Sequence, residues 1–187
     1  MEKKLTISKI LIIFFAIIAI VAFFLPYVAQ TGDTREYYQS RSGEKMFDNV
    51  DMTLSDMVDI SIFEYSKVYF LAGEEALHSK DAGIFYGCLF GSLATLSLLM
   101  ILSALGKKPI LTLFWDTLMA GAFWAINWDI EDRGIMPSKD TVWGTAYYLY
   151  YPVAAIIAVF AIWMFIIKRH KRKLKAAEIN FVSTQDA

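Results

Sequence analysis

The chain has 187 residues, 57% of them apolar and 16% aromatic, with 18 basic and 19 acidic side chains. A soluble domain is nearer about 45–50% apolar, so an ordinary water-soluble globule is excluded as the first reading. One cysteine, Cys88, excludes an internal disulfide and a cysteine-rich metal site, and His78 and His170 lie too far apart in the chain to suggest a histidine cluster.

The apolar excess falls into four blocks, each near the roughly 20 helical residues that cross a ~30 Å hydrocarbon core. The expectation is an all-α membrane protein, a four-transmembrane-helix bundle with a small outer segment containing an amphipathic helix. A basic N-terminus (1–9) with Lys3, Lys4 and Lys9 leads into the first span, residues 10–29. That run is longer than a signal-peptide core of about 7–15 residues, and Tyr27 stands where a small residue should precede cleavage, so it reads as an uncleaved anchor. Pro26 bends or ends the helix.

Residues 30–82 form an extracytoplasmic segment too small for a large core of its own. Its first part is polar and turn-rich. A helix is predicted over about 53–72, capped by Thr53 with Asp56 as a short stand-in for the usual glutamate. Leu54, Met57, Val58, Ile62, Tyr65, Val68, Tyr69 and Ala72 share one face, whereas Ile60, Phe63 and Phe70 break the pattern. Such a helix rests on the membrane surface or packs over its own bundle, or else offers a partner surface. Just beyond it Glu74, His78 and Asp81 fall on one face if the helix continues. They are weak metal candidates, lacking the two-histidine spacing of a zinc-protease helix, and a solvated charged face is the plainer reading.

The second span, 83–105, carries Gly83, Gly87, Gly91 and Thr95 at four-residue intervals, a small-xxx-small ladder that lets helices approach closely. It serves packing within the chain or dimerisation. The turn at 106–109 reads Gly-Lys-Lys-Pro. Gly106 can close one helix and Pro109 open the next, making the second and third spans antiparallel neighbours.

The third span, 110–127, contains Asp116, about 9 Å from its start at 1.5 Å per residue. A charge inside a spanning helix costs up to about 2.5–3.5 kcal/mol on insertion scales, and such residues face the bundle interior or water. Thr112, Asp116, Ala120, Phe123 and Asn127 share a face, so Thr112, Asp116 and Asn127 form an intramembrane polar face. Asp116 can tie helices together, line an ion or proton path, or contact a partner subunit. In the loop at 128–146, Asp129, Glu131, Gly134 and Asp140 fall at calcium-loop offsets, but Arg133 occupies an acceptor position and the final glutamate is missing.

The fourth span, 147–167, contains Pro152, which predicts a kink or a freed carbonyl near Tyr148. Tyr147, Tyr148, Tyr150 and Tyr151, with Trp143 and Trp128, read as an interfacial aromatic belt or a pocket for a lipid headgroup. The tail, 168–187, opens with six basic residues between Lys168 and Lys175. Lipid attraction and membrane anchoring account for it without nucleic acid.

Orientation follows from the basic residues. Eleven lie in the N-terminus, the 106–109 turn and the tail. The two opposite segments hold seven, against fifteen acids. Both termini are therefore expected in the cytoplasm of a multi-pass cell-membrane protein, with an acidic outer face.

The end of the first span, "FFLPY", the outer "MTLSDMVDI" and "WGTAYYL" at the start of the last span resemble a loose group of small uncharacterised bacterial membrane proteins. Those have an LPW-type end to their first helix and a "GFGFYL"-like opening to their last. Tyr27 here replaces the tryptophan, and Thr145 and Ala146 depart from the second motif. The resemblance implies a bacterial inner-membrane protein with four helices, and no activity. Claudin-like and tetraspanin-like readings need outer cysteines that this chain lacks. No P-loop, dinucleotide fingerprint or G-x-S-x-G is present, so no enzyme or cofactor is expected. The sequence leads to a non-enzymatic accessory or interaction protein, whose partners are the lipid bilayer and another membrane protein or a second copy. The alternative is a subunit of a small oligomeric transporter or channel using Asp116.

Overall fold

The computed structural model describes residues 2–134, 136 and 138–185, with side chains up to residue 177. Met1, two positions of the loop at 128–146 (Ile135 and Pro137) and the last two tail residues lie outside it. Four helices are long and apolar enough to cross a membrane. They are α1 (Glu2–Ala22), α4 (Lys80–Leu105), α5 (Pro109–Asp132) and α6 (Thr145–Gln185). Between them come β1 (Pro26–Gln30), α2 (Gly32–Ser40), a 3-10 turn (Leu54–Met57), β2 (Asp59–Ser61), α3 (Ile62–Leu77) and β3 (Thr141–Trp143).

Each long helix buries one stripe and leaves the rest apolar and exposed. In α1 the buried stripe is Ile12, Ala16, Ala19 and Ala22, each 0% exposed. Three of these are alanines, which let α1 lie close on α6 and α4. Leu93 and Met100 of α4, Met119 of α5 and Ile157, Ala161 and Met164 of α6 complete the centre. The opposite face of α1 presents Ile10, Phe14, Ile17 and Val21 outward. A continuous outward apolar face of this kind suits lipid rather than water.

The α4–α5 turn follows the expected punctuation with one change. Pro109 opens α5 and Gly106 ends α4, but Gly106 has φ −73° and the left-handed residue is Lys107, at φ 51°. Glu2 at the start of α1 bonds Lys171 of α6 and lies 3.9 Å from Lys107, tying α1 to α6 and to the α4–α5 turn. These mark the basic end of the bundle.

At the other end the fold departs from an all-α architecture. A three-stranded antiparallel sheet, in the order β2-β1-β3, closes it. Helix α1 stops at Ala22, well short of residue 29, and the chain from Pro26 is extended. Proline cannot donate a helical bond to the preceding turn, and the residues after it find strand partners instead. Val28 pairs with Ile60 and with Trp143, and Ala29 with Asp59 and Val142. The Gly144 amide adds a 2.7 Å bond to the Tyr27 carbonyl. A Cβ on Gly144 would stand 2.3 Å from the Pro26 carbonyl oxygen, so only glycine fits there.

The single helix expected over 53–72 is also corrected. Asp56 does accept the Thr53 amide at 2.7 Å, but this closes only the short 3-10 turn. Strand β2 follows, which explains why Ile60 broke the helical face: it is buried in the sheet, opposite Val28. The true helix start is a capping box at Ser61 and Glu64. The Ser61 amide donates to Glu64 Oε2 at 2.7 Å, and the Glu64 amide to Ser61 Oγ at 3.2 Å. The Phe63 amide then donates to the Phe23 carbonyl just past α1, at 3.0 Å, so α3 begins where α1 gives out.

Helix α3 lies lengthwise against the first half of α4. A Cβ on Gly83 would stand 2.5 Å from the Gly73 Cα and 2.7 Å from the Tyr69 carbonyl oxygen. Two backbones therefore touch. Further along, Gly87 faces the Phe70 ring and its carbonyl accepts a 2.9 Å bond from Ser66. The glycine ladder thus packs within the chain through Gly83, Gly87 and Gly91, while Thr95 is exposed and off the interface.

Candidate functional site

The polar face of α5 points into the bundle. Thr112 is 0% exposed, and Asp116 and Asn127 are 4% each. Thr112 spends its hydroxyl on the Lys108 carbonyl one turn back, at 3.1 Å, and so does not serve Asp116. Asp116 Oδ1 is buried with no hydrogen-bond partner among the described residues. A carboxylate in that setting is costly unless a proton, a cation or a donor reaches it. Its side chain faces its own bundle, so a partner contact made directly by the Asp116 face is not what this arrangement offers.

Asn127 sits three turns further along and is fully engaged. The Tyr27 hydroxyl donates to its Oδ1, and its Nδ2 donates to the Tyr151 hydroxyl at 2.9 Å. Tyr27 descends from β1 into an aromatic cage of Tyr65, Phe90, Phe123 and Trp143, with ring centroids between 5.4 and 6.2 Å away. Its own ring is 0% exposed. Asn127 and Asp116 thus belong to separate environments, even though they share a helix face.

A second cluster clamps α4 to α5 beside this cage. Tyr86 donates to Asp129 at 3.0 Å, and Arg133 pairs with Asp129 and lies 4.7 Å above the Tyr86 ring. The bond from Arg133 to Asp129 holds the guanidinium in its charged form. Nearby, burial pushes the Tyr69 phenol up to about 12, and burial followed by the neighbouring Tyr69 raises Tyr65 further. Both therefore stay neutral at ordinary pH and act as packing rings rather than as bases.

The tyrosines of α6 divide. Tyr150 is buried and donates to the Ala19 carbonyl at 3.0 Å, Tyr147 stacks on Trp143 at 4.3 Å, and Tyr148, at 64% exposure, points outward. An outward aromatic belt accounts for Tyr148 and for the exposed Trp124–Trp128 pair, while Tyr150 belongs to the core, Tyr147 packs against it and the exposed Tyr151 accepts from Asn127. Helix α6 runs through Pro152 without interruption.

The metal candidates do not assemble. No group of three or more His, Cys, Asp or Glu side chains able to hold a metal occurs among the described residues. Glu74, His78 and Asp81 are not on one helix face, because His78 takes the left-handed conformation (φ 53°) that ends α3, and α4 begins at Lys80. Asp129 of the calcium-like loop is helical and committed to Arg133 and Tyr86.

Sequence reasoning missed the Tyr27–Asn127–Tyr151 chain, whose first link joins residues 100 apart. It also missed that "FFLPY" and "WGTAYYL" are one place in space, joined through Tyr27, Trp143 and Gly144. Ser61-x-x-Glu64 was a readable helix-start signal.

No protein-family model matches this chain, no curated protein is similar to it, and no solved structure matches it. What the fold defines is a class: a mostly helical chain with four helices long and apolar enough to cross a membrane, closed at one end by a small sheet.

Proposed function

We propose that the protein is a small, non-enzymatic accessory or interaction protein of a bacterial cytoplasmic membrane. Both termini are cytoplasmic, and the sheet end faces outward. It works by presenting its acidic outer segment to another membrane protein or to a second copy. The observation that carries this reading is the closure of the polar interior. Asn127 is consumed by Tyr27 and Tyr151, and neither the cleft between α5 and α6 nor the one beside Tyr69 and Glu74 reaches Asp116. Exposed carboxylates crowd the outer segment instead, among them Asp33, Glu36, Asp48 and Asp51. A basic or amide-rich partner surface suits them.

The experiment is purification of the tagged full chain from its native membrane in mild detergent, followed by native mass spectrometry. A stoichiometric second subunit, or a defined homo-oligomer lost when the four carboxylates become amides, supports the proposal. A monomer with no partner overturns it.

A second reading rests on Asp116 alone. An unpartnered buried carboxylate is also what a proton or cation relay needs, once a conformational change or assembly brings water to it. That reading requires Asp116→Asn to abolish proton or cation flux into proteoliposomes while leaving the protein folded. Absence of flux in the unmutated protein removes it.

A further inference from the structure

At the basic end, between the start of α5 and the end of the apolar part of α6, lies a cleft of about 680 Å³. Four cations line it, Lys108, Lys168, Arg169 and Arg172. Its wall along the helices is apolar, made chiefly by Ile110, Phe114 and Phe165, which are 66, 52 and 37% exposed. Among the described residues, no acidic side chain lines it. The nearby acid, Glu2, is taken by Lys171 and Lys107, neither of which lines the cleft. The bundle therefore sorts its basic end into a neutralised part at Glu2 and an uncompensated part at the cleft. Lys168 is held in place by a 2.7 Å bond to the Lys107 carbonyl. The α5 N-terminus, which adds partial positive charge, carries no side-chain cap.

We infer that this cleft binds the phosphate headgroup of an acidic glycerophospholipid, with its acyl chain along Ile110, Phe114 and Phe165. The inference rests on the membrane reading above. The shape fits a molecule with one anionic end and one apolar end, and the charge arrangement rejects a neutral or cationic headgroup. A soluble anion would use the cations but leave the apolar wall bare. A peptide would need partners for its backbone groups along a wall that offers none.

The full chain is reconstituted in nanodiscs of phosphatidylcholine doped with phosphatidylglycerol, and the lipid retained on transfer to detergent is read by native mass spectrometry. Retention of one phosphatidylglycerol over phosphatidylcholine is expected. Arg169→Gln with Arg172→Gln should weaken it about 25-fold, taking about fivefold per cation removed near a membrane surface. Lys173→Gln with Lys175→Gln removes the same charge outside the cleft and should change retention little. Equal loss in both pairs means diffuse attraction by the tail and overturns the inference. So does displacement of the lipid by excess inorganic phosphate, which points to a soluble anion. Failure of the chain to enter nanodiscs at all overturns the membrane reading together with the inference. Entry without selective retention overturns the inference alone.

Discussion

Asp116 and Asn127 lie on the same face of α5 and are equally buried, yet they live under opposite conditions. Near the sheet end, Asn127 has a donor and an acceptor within an aromatic cage built from β1, α3, α4 and β3. In the middle of the bundle, Asp116 Oδ1 has nothing. The difference teaches that depth alone does not make a polar residue exceptional. What matters is whether other elements deliver partners, and only the sheet end has elements free to do so. The nearest hydroxyls on the long helices are spent elsewhere, Thr112 on the Lys108 carbonyl and Ser97 on the Leu93 carbonyl and the Met119 sulfur.

The largest break in this comparison comes from forcing α3 off α4. Gly83→Leu places a side chain where the Gly73 Cα and the Tyr69 carbonyl already stand. Overpacking of this kind costs about 1–3 kcal/mol and occasionally more, and here backbone must move. The expected result is a fall in thermal stability with loss of protection from proteolysis across 62–91, read by limited digestion in detergent. Full protection would show that α3 does not approach α4 as closely as Gly73 and Gly83 place it.

Asn127→Leu tests the satisfied site. It strands the buried Tyr27 hydroxyl, at a cost of about 1–3 kcal/mol. Adding Tyr27→Phe should recover part of that loss, because the orphaned hydroxyl is gone. A thermal-shift double-mutant cycle reads the coupling, and strict additivity would mean that the bond contributes nothing.

Asp116→Val tests the unsatisfied site and has the opposite sign. Removing a buried acceptor without a partner should raise stability, by about 1–3 kcal/mol, since the desolvation cost goes with it. A loss of stability on the same assay would reveal a donor that reaches Asp116 in the membrane. Asp116→Asn then separates stability from function, as the flux assay above requires.

The smallest effect is at high pH. Tyr65 and Tyr69 have folded pKa values raised by burial, Tyr69 to about 12, above the roughly 10 of a free phenol. A raised folded value means that the native state holds its proton longer than the unfolded one. The stability this contributes is complete below about pH 10 and falls as pH climbs toward about 12. Tyrosinate absorbance should therefore lag in the folded protein and appear together with the loss of α3. Tyr65→Phe and Tyr69→Phe should each weaken that alkaline transition.

Much of the bundle was readable from the chain. Hydropathy marked four helices, the Gly-Lys-Lys-Pro turn paired α4 with α5, and the shared face of Thr112, Asp116 and Asn127 pointed inward as helical geometry required. The sheet was not readable. β1, β2 and β3 are 5, 3 and 3 residues long, too short for an alternating pattern to outweigh the apolar run of the first span and the helical spacing near residue 60. Glu74, His78 and Asp81 failed as a group for a related reason: a shared face requires a continuous helix through His78, and the chain reverses there.

Local and solvent-driven features were thus determined by the sequence alone, because burial of apolar runs and the punctuation of proline and glycine act within a few residues of the chain. Tertiary structure decided which polar groups are satisfied. Tyr27 reaches Asn127 only because Gly144 lets β3 close on Pro26, and Gly83 meets Gly73 only because His78 turns the chain back. Such partners are far apart along the chain and are brought together by packing, which no local pattern encodes.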